Sequence, residues 1–288
     1  MVRLRSRTLV SAIAVTGGMA LATSAIAGHS WNGYHWPRST NPLALSVGNN
    51  VSGADWKYAL ENAVYDWNTG PSGGPASPFD LTATTGETSP RKCQPVTGTV
   101  QVCNYTYGYR GWLGVAQIWL DGKHITEGTV KLNDSYFQSS TYDSVAWRAF
   151  VTCQELGHTL GLGHTDEDFY NTNEGTCMDY TDDPDGTLKH QASNMHPNQH
   201  DFDELALIYD HSDTTSTGTG DSGGPPGGGG PPGRNKSVDG GSDVADWGQA
   251  ISYDIDGRPD VFVKTIAPGR KVVTHVLWVP ARQRQHAG

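Results

Sequence analysis

The stretch that decides the fold is VTCQELGHTLGLGHTDED, which runs from Val151 to Asp168. Around and within it, apolar residues recur at intervals of three and four, the spacing of one helix face. These residues are Ala146, Ala149, Phe150, Cys153, Leu156 and Leu160. A glycine-rich turn over residues 161–163 ends the pattern. The sequence therefore predicts a helix over Ala146–Leu160, followed by a sharp turn.

Polar residues on this helix form a pattern that suits a metal site. Gln154 and His158 are four residues apart, so they share one face of the helix, with Glu155 beside them. Gly161 tolerates the positive φ of a sharp turn, which brings His164 back toward the same point. Two histidines, an adjacent carboxylate and a third ligand position are the layout of a catalytic zinc with an open water position.

The spacing Q-E-x-x-H-x-x-G-x-x-H from Gln154 to His164 resembles the metzincin signature H-E-x-x-H-x-x-G-x-x-H with its first residue changed. Metzincins also have a methionine-containing turn below the metal, and TCMDY places Met178 fourteen residues after His164. Tyr180 matches a tyrosine that astacins and serralysins use at the metal. The resemblance covers roughly Trp36 to His211 and extends to the order of strand, helix, strands and active-site helix of matrixins.

The resemblance implies an α+β fold: a metzincin-like catalytic domain with a twisted mixed β-sheet, an N-terminal helix, an active-site helix and a C-terminal helix. It implies a secreted zinc metalloendopeptidase that hydrolyses peptide bonds with metal-activated water and Glu155 as the general base. His158 and His164 would be metal ligands, with Gln154 as the third. Matrixin latency uses a cysteine in a pro-segment, and no cysteine precedes Cys93, so we do not expect that mechanism.

Two further roles follow from the resemblance. Met178 would lie below the metal, and Tyr180 would stabilise the developing oxyanion, unless it is only a packed turn residue.

Gln154 leaves two functions open. Its Oε1 reaches about as far as a histidine Nε2 and can coordinate, but an amide oxygen is a poorer donor to zinc than imidazole, so metal affinity should fall. Alternatively, Gln154 is a lost ligand, and the protein is a non-catalytic binding protein, a pseudoprotease that kept the scaffold and lost metal affinity. Retention of Glu155 favours the enzyme, because a general base has no structural duty at that position.

Outward from this helix, the chain alternates strand and helix patterns. Strands are predicted at Leu43–Asn50, Phe79–Thr85, 98–108, 114–120 and 124–133. A helix is predicted at 53–70, a loop at 165–200 and a last helix at 198–211, where Asp201 and Glu204 suggest an N-terminal cap. We expect one peptidase domain over residues 28–212.

The two ends of the chain have different compositions. Residues 1–27 combine arginines, an apolar run and an A-x-A site, which predicts a secretory signal peptide. Residues 213–242 form a Gly/Pro/Ser-rich linker. Residues 243–288 predict about three strands, too few for a confident independent unit, and this segment either docks on the main domain or binds something else.

Four cysteines in an exported chain predict two disulfides, with three connectivities possible on paper. Cys93 and Cys103 flank a short loop and are the local pair, which leaves Cys153 with Cys177. On the metzincin-like fold, the second bridge would tie the active-site helix to the methionine turn.

The net charge of the chain argues against some classes of binding partner. The chain has 20 basic and 30 acidic residues, and three arginines lie in the expected signal, which leaves a net charge of −13. This charge argues against nucleic acid and anionic membranes. We expect a monomer that acts on a protein or peptide substrate. Eight acids between residues 166 and 185 either bind Ca²⁺, favour cationic substrates or form a solvated loop: Asp166, Glu167, Asp168, Glu174, Asp179, Asp182, Asp183 and Asp185.

Overall fold

The computed structural model describes residues 28–213 and 237–282. The expected signal peptide, residues 214–236 of the expected linker and the last six residues lie outside this part of the chain. The described residues form a mixed α+β fold with one eight-stranded sheet and three α-helices. The mixed α+β class predicted from the sequence is therefore confirmed.

Each predicted element is present, and where the bounds of an element differ from the prediction, they differ by one to three residues. The helices are α1 (Ala54–Thr69), α2 (Val145–Thr159) and α3 (Gln199–Ile208). The strands are β1 (Leu43–Asn50), β2 (Phe79–Thr85), β3 (Thr99–Tyr105), β4 (Trp112–Asp121), β5 (His124–Asn133), β6 (Gln249–Tyr253), β7 (Pro259–Ala267) and β8 (Arg270–Trp278). The largest shifts are at the C-terminal ends of β3 and α3, which each end three residues before the end of the predicted ranges 98–108 and 198–211.

The sheet has the strand order β2-β1-β3-β5-β4-β8-β7-β6. β2, β1, β3 and β5 are parallel neighbours, whereas every pair from β5 to β6 is antiparallel. The three C-terminal strands thus extend the main sheet, and β8 occupies the side of β4 that would otherwise be an edge. Of the two alternatives for this segment, the structure shows docking on the main domain.

The helices α1 and α2 pack against each other, and α2 lies over β4 and β5. α1 buries one apolar stripe, as its helical periodicity predicts: Trp56, Ala59, Leu60, Ala63, Val64 and Trp67. The Trp67 indole donates a hydrogen bond to the carbonyl of Cys153 at 3.1 Å, which fixes α1 against α2. α2 is buried along nearly its whole length, so its polar residues lie inside the protein.

The cap of α3 differs from the prediction. Asn198, not Asp201, is the N-cap, and its side chain accepts from the amide of His200 at 2.8 Å. Asp201 is the third helical residue and accepts from the Asn198 amide at 2.7 Å, which completes a capping box. The predicted arrangement was therefore misplaced by one helical turn.

The chain enters the C-terminal strands along the sheet face opposite α2. Ile118 of β4 packs in the same core as α2, so the alternating side chains Gln117 and Trp119 point to the opposite face. The Gln117 amide donates to the carbonyl of Gly240 at 2.8 Å, and the Trp119 indole to that of Val238 at 3.0 Å. We call residues Ser237–Arg282 the C-terminal region.

A second apolar cluster holds the C-terminal region on this face. Trp247 is 1% exposed and packs with Phe262 and Trp278, at ring-centroid distances of 5.3 and 6.1 Å. Tyr107, Trp112 and other residues of the main domain belong to the same cluster. Burial of a tryptophan is one of the largest single apolar contributions to packing, so Trp247 anchors the C-terminal region.

Two disulfides are present, Cys93–Cys103 and Cys153–Cys177, which is the expected pairing. The second joins α2 to the segment that contains Met178. Among the described residues, no helix has the length and apolar character needed to cross a membrane.

Candidate metal centre at the end of helix α2

The end of α2 is shaped by a glycine that no other residue can replace. Gly161 has φ of 105°, and a Cβ at this position would lie 2.3 Å from the carbonyl oxygen of Tyr34. Both the backbone conformation and the lack of space therefore require glycine. The turn carries the chain from His158 back to His164, as the sequence predicted.

The rings of His158 and His164 lie together, with centroids 4.6 Å apart. Nδ1 of His158 donates to the carbonyl of Leu162 at 2.8 Å, and Nδ1 of His164 lies 3.0 Å from Oε1 of Glu167. A histidine held through Nδ1 presents Nε2 as its free ligand atom, and metal-binding histidines are commonly oriented in this way. Both rings are thus arranged for coordination through Nε2.

Gln154 is fully buried on the same helix. Of the two polar atoms of its side-chain amide, only the nitrogen forms a hydrogen bond. Its Nε2 donates to the carbonyl of Cys177 at 2.9 Å, which joins α2 to the segment of Met178. Its Oε1 is buried without a hydrogen-bond partner. A buried acceptor without a partner costs about 1–3 kcal/mol, so a metal at this point would satisfy it.

Met178 and Tyr180 lie beside the histidines. Met178 is buried against α2, where a Cβ on Gly157 would come within 2.6 Å of its Sδ. The Tyr180 ring lies 4.4 Å from that of His164, and its hydroxyl is buried without a hydrogen-bond partner. Burial and nearby carboxylates raise the pKa of this hydroxyl well above its usual value, so it is a proton donor rather than an anion.

A third histidine, His275 of β8, completes the cluster. Its ring stacks on that of His158 with centroids 3.9 Å apart and an interplanar angle of 2°. The ligand atoms of His158, His164 and His275 lie within 4.8 Å of one another. Both ring nitrogens of His275 are buried without hydrogen-bond partners. Burial lowers the pKa of His158 and His275 well below the usual value, which favours the neutral form that binds metal.

No local sequence pattern marks His275 as a site residue. It is a single histidine in the apolar strand VVTHVLWV, far along the chain from the other two. Only the pairing of β8 with β4, in which His275 lies opposite Ala116, brings it to the end of α2.

Glu155 is fully buried, and its carboxylate lies against β4. Burial raises its pKa well above the usual value, and the nearby backbone of Ala116 offsets part of the rise. A Cβ on Gly114 would lie 2.4 Å from Oε1 of Glu155, so this glycine makes the space for the carboxylate. Gly114 was not predicted as a site residue, although a glycine inside a strand often marks such a close approach.

The site is covered from two sides. β8 lies along β4, and Trp31 of the N-terminal segment contacts His275 with ring centroids 3.7 Å apart. As a result, Glu155, His158 and His275 are 0%, 1% and 3% exposed. A peptide substrate has no access to the carboxylate in this arrangement.

The acidic residues of the loop after α2 mostly bond to the loop itself. Oδ1 of Asp166 accepts from the Asp168 amide at 2.7 Å, and Oδ2 of Asp179 accepts from the Glu174 amide at 2.8 Å. Asp183 accepts from the Lys189 amide at 2.8 Å. These contacts give the acids a role in loop structure, and calcium binding stays a prediction.

Other side chains in the described parts of the chain also converge in groups suited to metal ions. Besides the cluster at α2, the groups are His29 with His200 and Asp201, His35 with His211 and Asp213, and His164 with Glu167 and Asp260. Among these residues, the sequence indicated only His164 and Glu167 as candidate metal ligands.

No protein-family model and no curated protein matches the chain.

Proposed function

We propose that the protein is a secreted, zinc-dependent metalloendopeptidase of the metzincin type, with its site at the end of α2. The observation that carries the proposal is the pairing of the His158 and His164 rings at the end of α2, with Glu155 and the unpartnered Oε1 of Gln154 buried on the same helix. The disulfides and the expected signal peptide support secretion, because such bridges persist in oxidising compartments.

The ligand set fits zinc. Imidazole nitrogens suit this ion, and the orientation of His158 and His164 through Nδ1 is the arrangement found around catalytic zinc. Bound zinc would supply a Lewis acid that lowers the pKa of water and polarises a peptide carbonyl. Gln154 contributes a neutral oxygen, so we expect weaker binding than at a site in which histidine holds this position.

Glu155 is the residue that moves protons in this proposal. Its carboxylate accepts a proton from the attacking water and gives it to the leaving amine. Tyr180 carries a hydroxyl with no partner beside His164, and this hydroxyl donates a hydrogen bond to the oxyanion that develops on the carbonyl. Met178 packs below α2 and holds the position of the helix end.

The test compares zinc content and hydrolysis of an unfolded protein substrate in wild type and Glu155→Gln. We expect about one zinc in both proteins and hydrolysis that a chelator stops. Glu155→Gln should lower the rate by about 10²- to 10⁴-fold, the usual contribution of general acid–base catalysis. Because the site is covered, the rate is also measured in Trp247→Ala, which removes the anchor of the C-terminal region.

The second candidate is a non-catalytic binding protein on the same scaffold. The observation that favours it is the burial of Glu155 under β8 and Trp31. Bound zinc without hydrolysis, in wild type and in Trp247→Ala alike, would favour this candidate. Absence of transition metal after growth with added zinc would exclude the peptidase.

A further inference from the structure

His275 has no structural reason to be a histidine. It lies in the apolar strand β8, is 3% exposed, and forms no hydrogen bond through either ring nitrogen. Burial of polar atoms without partners costs about 1–3 kcal/mol for each group. A phenylalanine would stack on His158 equally well without this cost. The unpartnered ring nitrogens of His275 therefore indicate a bound ligand that contacts them.

The neighbours of His275 identify that ligand. His158 and His164 are oriented with Nε2 free, and the ligand atoms of the three histidines lie within 4.8 Å of one another. Three imidazoles whose ligand atoms lie this close together suit a borderline metal ion such as Zn²⁺ rather than an organic group.

We propose that His275 is a ligand of the metal that His158 and His164 hold, and that β8 thereby closes the site from within the chain. This inference rests on the proposed function, because it concerns the same metal. The histidines supply three protein donors, and Oε1 of Gln154, one helical turn before His158 and without a hydrogen-bond partner, would be the fourth. Four protein ligands are the number in structural zinc sites, whereas catalytic sites keep one position for water.

A small movement completes the site. Zinc–nitrogen bonds of about 2.0–2.1 Å in a tetrahedron place ligand nitrogens roughly 3.4 Å apart. The stacked rings of His158 and His275 therefore have to turn out of their parallel arrangement when metal binds. No hydrogen bond restrains the His275 ring against this movement.

β8 also occupies the position that suits a peptide substrate. An exposed strand edge binds extended peptides through backbone hydrogen bonds, and β4 would offer such an edge beside Glu155. β8 pairs with β4 from Trp112 to Asp121, so β8 occupies the whole length of this edge and leaves none of it for a peptide. The C-terminal region is thus an internal competitor that supplies both a strand and a metal ligand.

The first experiment measures zinc binding by the full chain with His275→Phe, which keeps the aromatic ring and removes the ligand atoms. We expect the zinc dissociation constant to rise by more than the roughly 10- to 100-fold seen for the loss of an outer-shell partner. X-ray absorption should count three imidazole ligands in wild type and two in the variant. The matched control is Thr274→Ala, the neighbour on β8 that bonds to Gln117 on the opposite face, and it should bind zinc as wild type does.

The outcomes separate this inference from the proposed function. Unchanged affinity and ligand number in His275→Phe overturn the inference, provided that His158→Ala loses zinc. If wild type itself binds no zinc, or His158→Ala binds as wild type does, the proposed function fails as well. His275→Ala serves as a second variant if the phenylalanine protein does not fold.

The second experiment tests whether β8 competes with substrate. Trp247→Ala removes an anchor that lies in the second apolar cluster, away from the histidines. We expect faster hydrogen exchange of the β8 amides and a several-fold higher rate of substrate hydrolysis than in wild type. Faster exchange together with an equal or lower rate would show that β8 does not block the substrate.

Discussion

At the residue scale, two glycines that touch the site differ in what they would tolerate. A Cβ on Gly157 would lie 2.6 Å from Sδ of Met178 and 2.7 Å from the Trp67 ring, both in the core. A Cβ on Gly114 would instead meet the tip of the Glu155 side chain at 2.4 Å. The first clash is with packed core atoms, and the second is with the carboxylate side chain of Glu155, including its Cγ at 2.7 Å, which has to shift to make room.

We therefore expect the Gly157 variant to lose mainly stability and the Gly114 variant to lose mainly activity. Gly157→Ala should lower the free energy of unfolding by about 1–3 kcal/mol through overpacking, even though alanine favours helix. Gly114→Ala should change stability much less, but displace the Glu155 carboxylate, and a shift of about 1 Å can cost about 10²-fold in rate. Urea unfolding and hydrolysis rates check both, with zinc content unchanged in Gly114→Ala. Equal losses of stability in the two variants would contradict this assignment.

The site residues that the sequence predicts and those that it misses differ in how far apart they lie along the chain. Glu155, His158 and His164 follow from helical spacing and one glycine turn, so their proximity is set by local geometry. Met178 and Tyr180 followed only from the metzincin resemblance. His275 needs the register of β8 on β4, which depends on contacts across the whole sheet and leaves no local pattern.

At the scale of elements, the bridge Cys153–Cys177 links α2 to the segment of Met178 across 24 residues. Closing a loop of this size lowers the entropy of the unfolded chain and contributes about 3 kcal/mol. The bridge also lies next to Gln154, whose amide bonds to the carbonyl of Cys177. The disulfide therefore supports both the fold and the position of one candidate ligand.

Removal of this bridge should weaken zinc binding as well as stability. We expect Cys153→Ala with Cys177→Ala to lower the free energy of unfolding by about 3 kcal/mol and to raise the zinc dissociation constant. The matched control is Cys93→Ala with Cys103→Ala, which opens a loop of separation 10 away from the histidines. The control should lose a similar amount of stability and keep its zinc affinity, as measured by competition with a chelator. Equal zinc affinity in the two double variants would remove the proposed link between bridge and site.

Most elements were predictable because each has a periodicity of its own. α1 and α2 follow a helical apolar stripe, and β1 to β5 are separated by Gly, Pro or Asp. The cap of α3 was misplaced because Asp201 suits both the first and the third position of a capping box, and only backbone geometry separates these positions. Strands β6 to β8 were expected as strands, but their partner was left open.

At the scale of the whole molecule, the central fact is that one sheet includes both ends of the described chain. Residues 237–242 fall in the predicted linker, yet they bond to β4 and β5 on the face opposite α2. Composition predicted no ordered contact there, because glycine and serine carry little apolar surface. Their backbone carbonyls supply the contacts instead, and a hydrophobic pattern cannot indicate such contacts.

Lys131 of β5 makes the most unusual of these contacts. It is 1% exposed, and its Nζ donates to the carbonyl of Gly241, to Oε1 of Gln117 at 3.2 Å and to Oγ of Ser242 at 3.2 Å. Burial lowers the pKa of this lysine from 10.5 to about 8, and nearby Asp239 and Asp246 offset part of the effect. A cation is thus held under the C-terminal region by carbonyl, amide and hydroxyl oxygens.

The sign of the resulting pH dependence follows from linkage. Between pH 8 and 10.5, the folded protein has released the Lys131 proton while the unfolded chain keeps it. The unfolded state then binds more protons, so the free energy of unfolding should rise with pH across this window, by up to roughly 3 kcal/mol. Buried tyrosines with raised pKa oppose this rise at the upper end of the window. The Lys131 contribution is therefore measured by urea unfolding at a series of pH values as the difference from Lys131→Met, in wild type and in Lys92→Met, where the lysine is exposed. Lys131→Met should lack it, because the variant has no proton to release; a rise of equal size there would place its origin in other groups.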